Sequence, residues 1–161
     1  VVAAPALLLR PGEPADRGFV RGLAEESFSI YGDYGRLLLE WLDTPGVEVT
    51  IAEEDGAAVG LTLLAFVPDP DRRGAWLADL LAIAVSPLAR GRGLGRRLLA
   101  SAAERAREAS RGWPVHALRL SVAEENARAR RLFEAAGFRY RGAESGYYPR
   151  GQRALHMRLV L

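Results

Sequence analysis

The chain has 161 residues, 49% hydrophobic and 26% charged, with no cysteine. That describes a globular chain and excludes disulfides, thiolate nucleophiles and Cys-based zinc sites. All 22 basic residues are arginine, so a Gly-Lys-Ser/Thr phosphate loop and lysine Schiff-base chemistry are also excluded. Net charge is only +2, but residues 1–86 hold 6 Arg against 14 Asp/Glu, and residues 87–161 hold 16 Arg against 6 Glu. An acidic half favours a cationic, amine-bearing partner, and a basic half favours an anionic one. His116 and His156 lie far apart in sequence, and no metal site is expected. No apolar run approaches the ~18 residues of a membrane span. Val1 to Leu9 is apolar but carries no basic leader, so no membrane contact is expected and the expected setting is the cytoplasm.

The elements read as follows in chain order. A short apolar strand over 6–10 stops at Pro11-Gly12. Glu13, Pro14 and Asp16 open a helix whose buried face is Phe19, Val20, Leu23, Ala24 and Phe28. A loop over 29–35 carries Tyr31, Gly32, Asp33 and Tyr34, and a second helix spans 36–42. Strands over 47–52 and 58–67 flank Asp55-Gly56, a pair suited to a type I′ hairpin. After a loop at 68–74, the run 76–85 is almost continuously apolar, as in a central strand buried on both faces. Asp79 is the only charge within it.

A helix over 93–110 follows, with Leu94, Leu98, Leu99, Ala102, Ala103 and Ala106 on one face. Then come a strand over 116–122, a helix over 124–136 with Gly137 at its C-cap, and strands over 138–141 and 154–159. No repeat or linker interrupts the chain, so residues 1–161 are expected to form one mixed α+β domain with a parallel β–α–β crossover.

The crossover passes through Arg90-Gly91-Arg92-Gly93-Leu94-Gly95-Arg96. Strand, glycine turn and helix in that order leave backbone N–H groups unpaired at a positive helix terminus, a setting for phosphate. The spacing differs from the dinucleotide fingerprint, because the third glycine is one residue early and Arg96 fills its slot. Nucleic-acid binding is not expected, since no aromatic platform or reading motif accompanies the arginines.

With the apolar strand before it, this stretch resembles the GNAT superfamily of acetyl-CoA-dependent N-acetyltransferases. Arg90-Gly91-Arg92-Gly93-Leu94-Gly95 is similar to the family's Gln/Arg-x-x-Gly-x-Gly/Ala signature. Asn126-x-x-Ala129-x-x-Leu132-Phe133-x-x-x-Gly137-Phe138 is similar to its later helix motif. The resemblance implies a three-layer α/β/α sandwich around a mixed, mostly antiparallel, splayed sheet of 6–7 strands, with about four helices. It implies acetyl-CoA as co-substrate, with the pyrophosphate on the N–H groups of Arg90, Gly91, Arg92, Gly93, Leu94, Gly95 and Arg96. Main-chain groups along Ile83, Ala84 and Val85 would pair with the pantetheine arm, and the Ile83 N–H would polarise the acetyl carbonyl. Asn126 would touch the same arm, or else serve as a helix N-cap. Arg128, Arg130 and Arg131 would lie near the 3′-phosphate or on a solvated face. Members of the family often dimerise, which leaves a homodimer open.

Acetylating an amine needs a group to take its proton, a donor for the oxyanion and an acid for the leaving thiolate. Asp79 matches the position of a catalytic glutamate in the histone-acetylating branch; the alternative is an Asp paired with an Arg. Many relatives carry Tyr at the position of Phe133 and use it as the acid, and alanine N-acetyltransferases often carry Glu at the position of Ser121. Both are absent here; Tyr147 or Tyr148 could substitute, with Tyr148 the candidate acid, or the thiolate leaves without one. Tyr147-Tyr148-Pro149 resembles a segment near the peptide groove of N-terminal acetyltransferases. Tyr31, Tyr34 and Tyr147 are candidate acceptor contacts, aromatics being suited to an ammonium. The acceptor is then a small-molecule amine or a peptide N-terminus, the former preferred. A non-catalytic coenzyme A-binding module is the alternative from another class.

Overall fold

A mixed sheet of seven strands, in the order β1-β2-β3-β4-β5-β7-β6, forms the centre of the computed structural model, which describes residues 2–161. The strands are β1 (Leu7–Pro11), β2 (Glu48–Glu54), β3 (Ala57–Pro68), β4 (Trp76–Val85), β5 (Val115–Ala123), β6 (Arg139–Glu144) and β7 (Ala154–Val160). The helices are α1 (Arg17–Phe28), α2 (Tyr34–Leu42), α3 (Leu94–Ser110) and α4 (Ala127–Ala135). Every strand pairing is antiparallel except β4 with β5, which α3 connects as a parallel crossover. No helix among the described residues is long and apolar enough to cross a membrane.

Two apolar layers hold the sheet between the helices. On one face Val20, Leu23 and Ala24 of α1 and Leu38 of α2 pack on Ile51, Leu61, Leu63, Ala82 and Ala84. On the other, Leu99, Ala102, Ala103 and Ala106 of α3 and Phe133 of α4 pack on Leu64, Ala78, Leu80, Leu118, Leu120 and Met157. The α3 face read from its periodicity is buried in full. β4 is central, as its continuous apolar run requires. The hairpin turn has φ of 49° at Asp55 and 82° at Gly56, the double positive φ of a type I′ turn.

Some boundaries differ from the sequence reading. The second helix begins at Tyr34, two residues early, because the Asp33 carboxylate caps it by accepting the Arg36 N–H at 3.4 Å. The last helix begins at Ala127, after 124–126 have turned, because Asn126 caps it by accepting the Ala129 N–H at 3.2 Å. β6 runs to Glu144, since its ladder with β7 continues to Ala154.

Two irregularities in β4 prepare the site. Its pairing with β5 covers only Trp76 to Asp79, ending where Asp79 meets Arg119. Beyond that row, β4 stays on β3 as far as Val85, and β5 stays on β7 as far as Ala123, so the sheet opens between them. At the same point the β3 register jumps, with Leu63 facing Ala82 and Leu64 facing Leu80. Leu81 is therefore an extra residue, a bulge that bends the strand and exchanges its two faces. Ala78 and Leu80 enter the α3 layer, whereas Ala82 and Ala84 enter the α1–α2 layer.

Candidate active site

At the C-terminal end of β4, residues Pro87–Ala89 make one 3-10 turn and lead into the glycines. Gly91 and Gly93 have φ of 78° and 81°, left-handed values that an L side chain resists. Gly93 is the N-cap of α3. Arg90 donates its N–H to Pro87 and Arg97 donates to Gly93. Between them, the N–H groups of Gly91, Arg92, Gly93, Leu94, Gly95 and Arg96 have no acceptor among the described residues. That run of unpaired donors at the N-terminus of a 17-residue helix is what a pyrophosphate requires. Two of the arginines are engaged elsewhere. Arg92 bonds Glu54 at 2.9 Å and ties the turn to the β2–β3 hairpin. Arg90 Nε donates to the Val85 carbonyl at 2.9 Å.

The opening between β4 and β5 continues into a cleft of about 570 Å³. Ile83, Leu81 and Asp79 line it from β4, Ser121 from β5, and Asn126 and Phe133 from the α4 region. Phe133 is buried against Phe138, with ring centroids 5.9 Å apart. Asn126 lines the cleft and caps α4 at once, so its two sequence readings coexist geometrically. A larger depression of about 980 Å³ lies among β1, α1 and α3. Its Arg10, Arg17 and Arg105 are already paired with Asp16, Asp43 and Glu48.

Asp79 does not stand alone in its apolar strand. Its carboxylate accepts a hydrogen bond from Arg119 at 2.8 Å, across the last paired row before the opening. One row further on, Ser121 Oγ lies 2.8 Å from His156 Nδ1. The alternation Arg119, Ser121 on β5 and His156, Arg158 on β7 places all four on the cleft side. Sequence reasoning used the histidines only to judge a metal. The period-2 alternation of β7 around the apolar Leu155 and Met157 was the signal for His156 and Arg158.

Tyrosines form one wall. Tyr148 stacks on Tyr31, with centroids 4.9 Å apart, and meets Tyr147 edge-on at 5.0 Å. Tyr34 lies 6.4 Å from Tyr148. Tyr147 and Tyr148 sit in the β6–β7 loop, not on a strand. That loop is clamped to the loop before α2. Arg150 donates its N–H to Tyr31, and Gln152 Nε2 donates to the Ile30 carbonyl at 2.7 Å. Gly32 permits the clamp, because a Cβ there would come within 2.8 Å of Pro149. Burial pushes the phenol of Tyr148 up and that of Tyr34 up to about 12. Burial and Glu125 raise Tyr31, which the Asn126 side chain opposes. All three stay protonated at neutral pH. Asp33 lies outside this cage, spent on its helix cap and on Arg36.

Most of the N-terminal acids are likewise spent on local arginines, as in Arg10–Asp16, Arg10–Glu53, Arg21–Glu25 and Arg36–Glu40. From residues 1–86, only Asp71 and Asp79 line the cleft as carboxylates. The acidic half therefore reaches the site through two groups and not as a general field.

Comparison with known proteins agrees with this geometry. Residues 18–138 match the model of the acetyltransferase (GNAT) family. A mycothiol acetyltransferase of Beutenbergia cavernae is 32% identical over 79% of this chain, which covers 42% of that protein. An L-2,4-diaminobutyric acid acetyltransferase of Nocardia farcinica is 33% identical over 85% of this chain, which covers 66% of that protein. Among solved structures, a ribosomal-protein-alanine N-acetyltransferase of Brucella melitensis superposes with a TM-score of 0.77 at 27% identity, over 96% of this chain and 99% of that one. Arabidopsis thaliana NAA60 in complex with acetyl-CoA superposes with a TM-score of 0.79 at 17% identity, over 97% of this chain and 99% of that one, and shares the fold. The chain spans less than half the length of the mycothiol acetyltransferase that it matches. With three quarters of its residues inside the family match, the opened β4–β5 pair and the row of free N–H groups before α3, the chain belongs to the GNAT family of acetyltransferases.

Proposed function

We propose that the chain transfers acetyl from acetyl-CoA to a primary amine of a small molecule, by direct attack in a ternary complex. The observation that carries this reading is the sheet opening. It lies between the strand that leads to the free N–H groups of residues 91–96 and a cleft whose far wall is tyrosine and charged side chains. The cofactor's pyrophosphate sits on that nest, and its pantetheine arm enters between β4 and β5 along Ile83, Ala84 and Val85, beside Asn126. Holding thioester and amine together removes much of the barrier by itself. The Ile83 N–H stabilises the oxyanion. Asp79 takes the ammonium proton, directly or through water, while Arg119 fixes its orientation. The lone pair attacks the thioester carbon, the carbon–sulfur bond breaks, and Tyr148 protonates the thiolate. Burial keeps the Tyr148 phenol protonated at neutral pH, so its proton is present, and the same burial makes it a weaker acid than a free tyrosine. Tyr31, Tyr34 and Tyr147 line the amine's approach. Relatives named for mycothiol and diaminobutyrate support a small acceptor.

Asp79→Asn is expected to lower kcat about 100-fold at pH 7 and to leave the acetyl-CoA Kd within a factor of two. Unchanged turnover in that variant removes Asp79 from the mechanism. A second reading, acetylation of a peptide N-terminus, is favoured by the Tyr147-Tyr148-Pro149 loop and by the Brucella structure. An acceptor screen over small amines and peptides, read by mass, decides between them. A screen in which acetyl-CoA binds tightly and no amine gains 42 Da, about the mass of one acetyl group replacing a proton, would leave only a coenzyme A-binding module.

A further inference from the structure

Asp71, Asp79, Arg119, Arg141, Glu144 and Arg158 bring charge to the cleft. Four of them cancel in pairs. Arg119 holds Asp79 at 2.8 Å, and Arg158 faces Asp71 at 3.5 Å, with the buried Asp69 at 3.8 Å. Arg141 and Glu144, both exposed, have no oppositely charged partner within 4 Å among the described residues.

These two side chains are three positions apart on β6. In a regular strand an odd separation puts two residues on opposite faces. Here the β6–β7 register slips between Tyr140 and Gly142: Tyr140 faces Met157, and Gly142 faces His156. Arg141 is therefore an extra residue, and the exchange of faces after it brings Glu144 opposite Ala154, on the cleft side. Tyr140 points the other way, to α4, where its hydroxyl bonds Arg130 and Glu134. The bulge thus brings one free guanidinium and one free carboxylate to the same wall. Bulges beside binding sites commonly re-aim side chains in this way.

We infer that Arg141 and Glu144 form a subsite for a zwitterionic head group, so that the acceptor is a small diamino acid. Its carboxylate lies on the Arg141 guanidinium, a geometry that suits a planar anion. Its α-ammonium lies on Glu144. Its second amine extends towards Asp79 and the thioester and is the atom acetylated. This subsite rests on the small-amine reading of the function and deepens it by naming the substrate class. It also gives a reason for the mixed charge of the wall, which an uncharged or purely cationic amine would leave half unmatched.

The test compares 2,4-diaminobutyrate with 1,3-diaminopropane, which lacks only the carboxylate. The chain is expected to prefer the first by about 10- to 100-fold in kcat/KM. Arg141→Gln is expected to collapse that preference through KM, with kcat for diaminobutyrate retained, and Arg141→Lys to restore part of it. Equal use of the two acceptors overturns the inference, as does a preference that survives in Arg141→Gln. Acetylation of other amines but of neither of these two also overturns it. If no amine of any kind is acetylated, the transferase reading fails, and calorimetry on the coenzyme A complex decides the subsite separately. Binding of diaminobutyrate without binding of diaminopropane then supports it, and binding of neither overturns it.

Discussion

Gly93→Val is expected to weaken acetyl-CoA binding by about 10- to 100-fold, measured by calorimetry. A Cβ at Gly91 or Gly93 would meet nothing within 4 Å, so crowding is not the cause. The cost is the left-handed φ of 81°, which a β-branched residue does not hold. The turn then relaxes to a negative φ, and the N–H groups of residues 91–96 cease to converge. Gly93→Asn separates this account from a general loss of structure. Asparagine tolerates the left-handed region, so its Kd should stay within about threefold of the parent. Equal binding by the valine variant would show that the phosphate is held elsewhere. Equal damage from valine and asparagine would show that side-chain bulk, not backbone conformation, decides.

Asp69→Ala is expected to lower stability by about 2–3 kcal/mol, or about 5–10 °C in Tm, in thermal or urea unfolding. Asp69 sits at the end of β3, with a side chain only 1% exposed. It accepts the Asp71 N–H at 2.9 Å, lies 2.6 Å from His116 Nε2 and faces Arg158 at 3.8 Å. Burial raises the pKa of this carboxyl, but the Asp71 N–H, His116 and Arg158 together outweigh it and hold the group below the ordinary value. Alanine would leave His116 Nε2 and the Asp71 N–H without their carboxylate partner and would remove one of the two carboxylates that Arg158 faces. The cost stays below that of a fully buried pair because His116 is 30% exposed and reaches water.

The pH dependence follows from the direction of the shift. The carboxyl binds its proton more weakly in the folded chain than in the unfolded one. Its stabilisation is therefore complete above the unfolded value of about 3.9 and is lost as pH falls through the lower folded value. The stability gap between parent and Asp69→Ala should narrow in that acid window. A gap that persists unchanged at pH 2 would show that packing, not charge, is what Asp69 contributes. Because Pro70 and Asp71 line the cleft, the same variant should raise the acceptor KM.

How much was legible beforehand differs between cofactor and acceptor. Apart from Asn126, the residues proposed to hold the cofactor come from one continuous stretch. The apolar run 76–85, the alternate glycines and the periodic leucines and alanines of α3 are local patterns, and local sterics translate them directly into strand, left-handed turn and helix. The same holds for the hairpin at Asp55-Gly56 and for the cap at Asn126.

The acceptor side was legible only in part. Tyr31, Tyr34, Tyr147, Tyr148 and Asp79 were named from sequence, but not their mutual contacts. The two tyrosine pairs are more than 100 residues apart, and it is the packing of Gly32 on Pro149 that stacks them. Asp79 was read as a lone carboxylate with an arginine as the alternative, and the parallel register of β4 and β5 supplied Arg119. His156 was weighed only as a metal ligand, and Arg141 and Glu144 were not singled out at all. Two of these depend on a bulge, and a bulge inverts the alternation from which a face is read.

The sequence by itself determined the fold family, the order of the elements and the glycine turn before α3, because each rests on short-range periodicity and on φ values that only glycine adopts freely. Only the tertiary structure decided where β4 parts from β5, which charges cancel and which stay free in the cleft. Those outcomes depend on strand register and on contacts between segments distant in the chain, and no local pattern of residues encodes them.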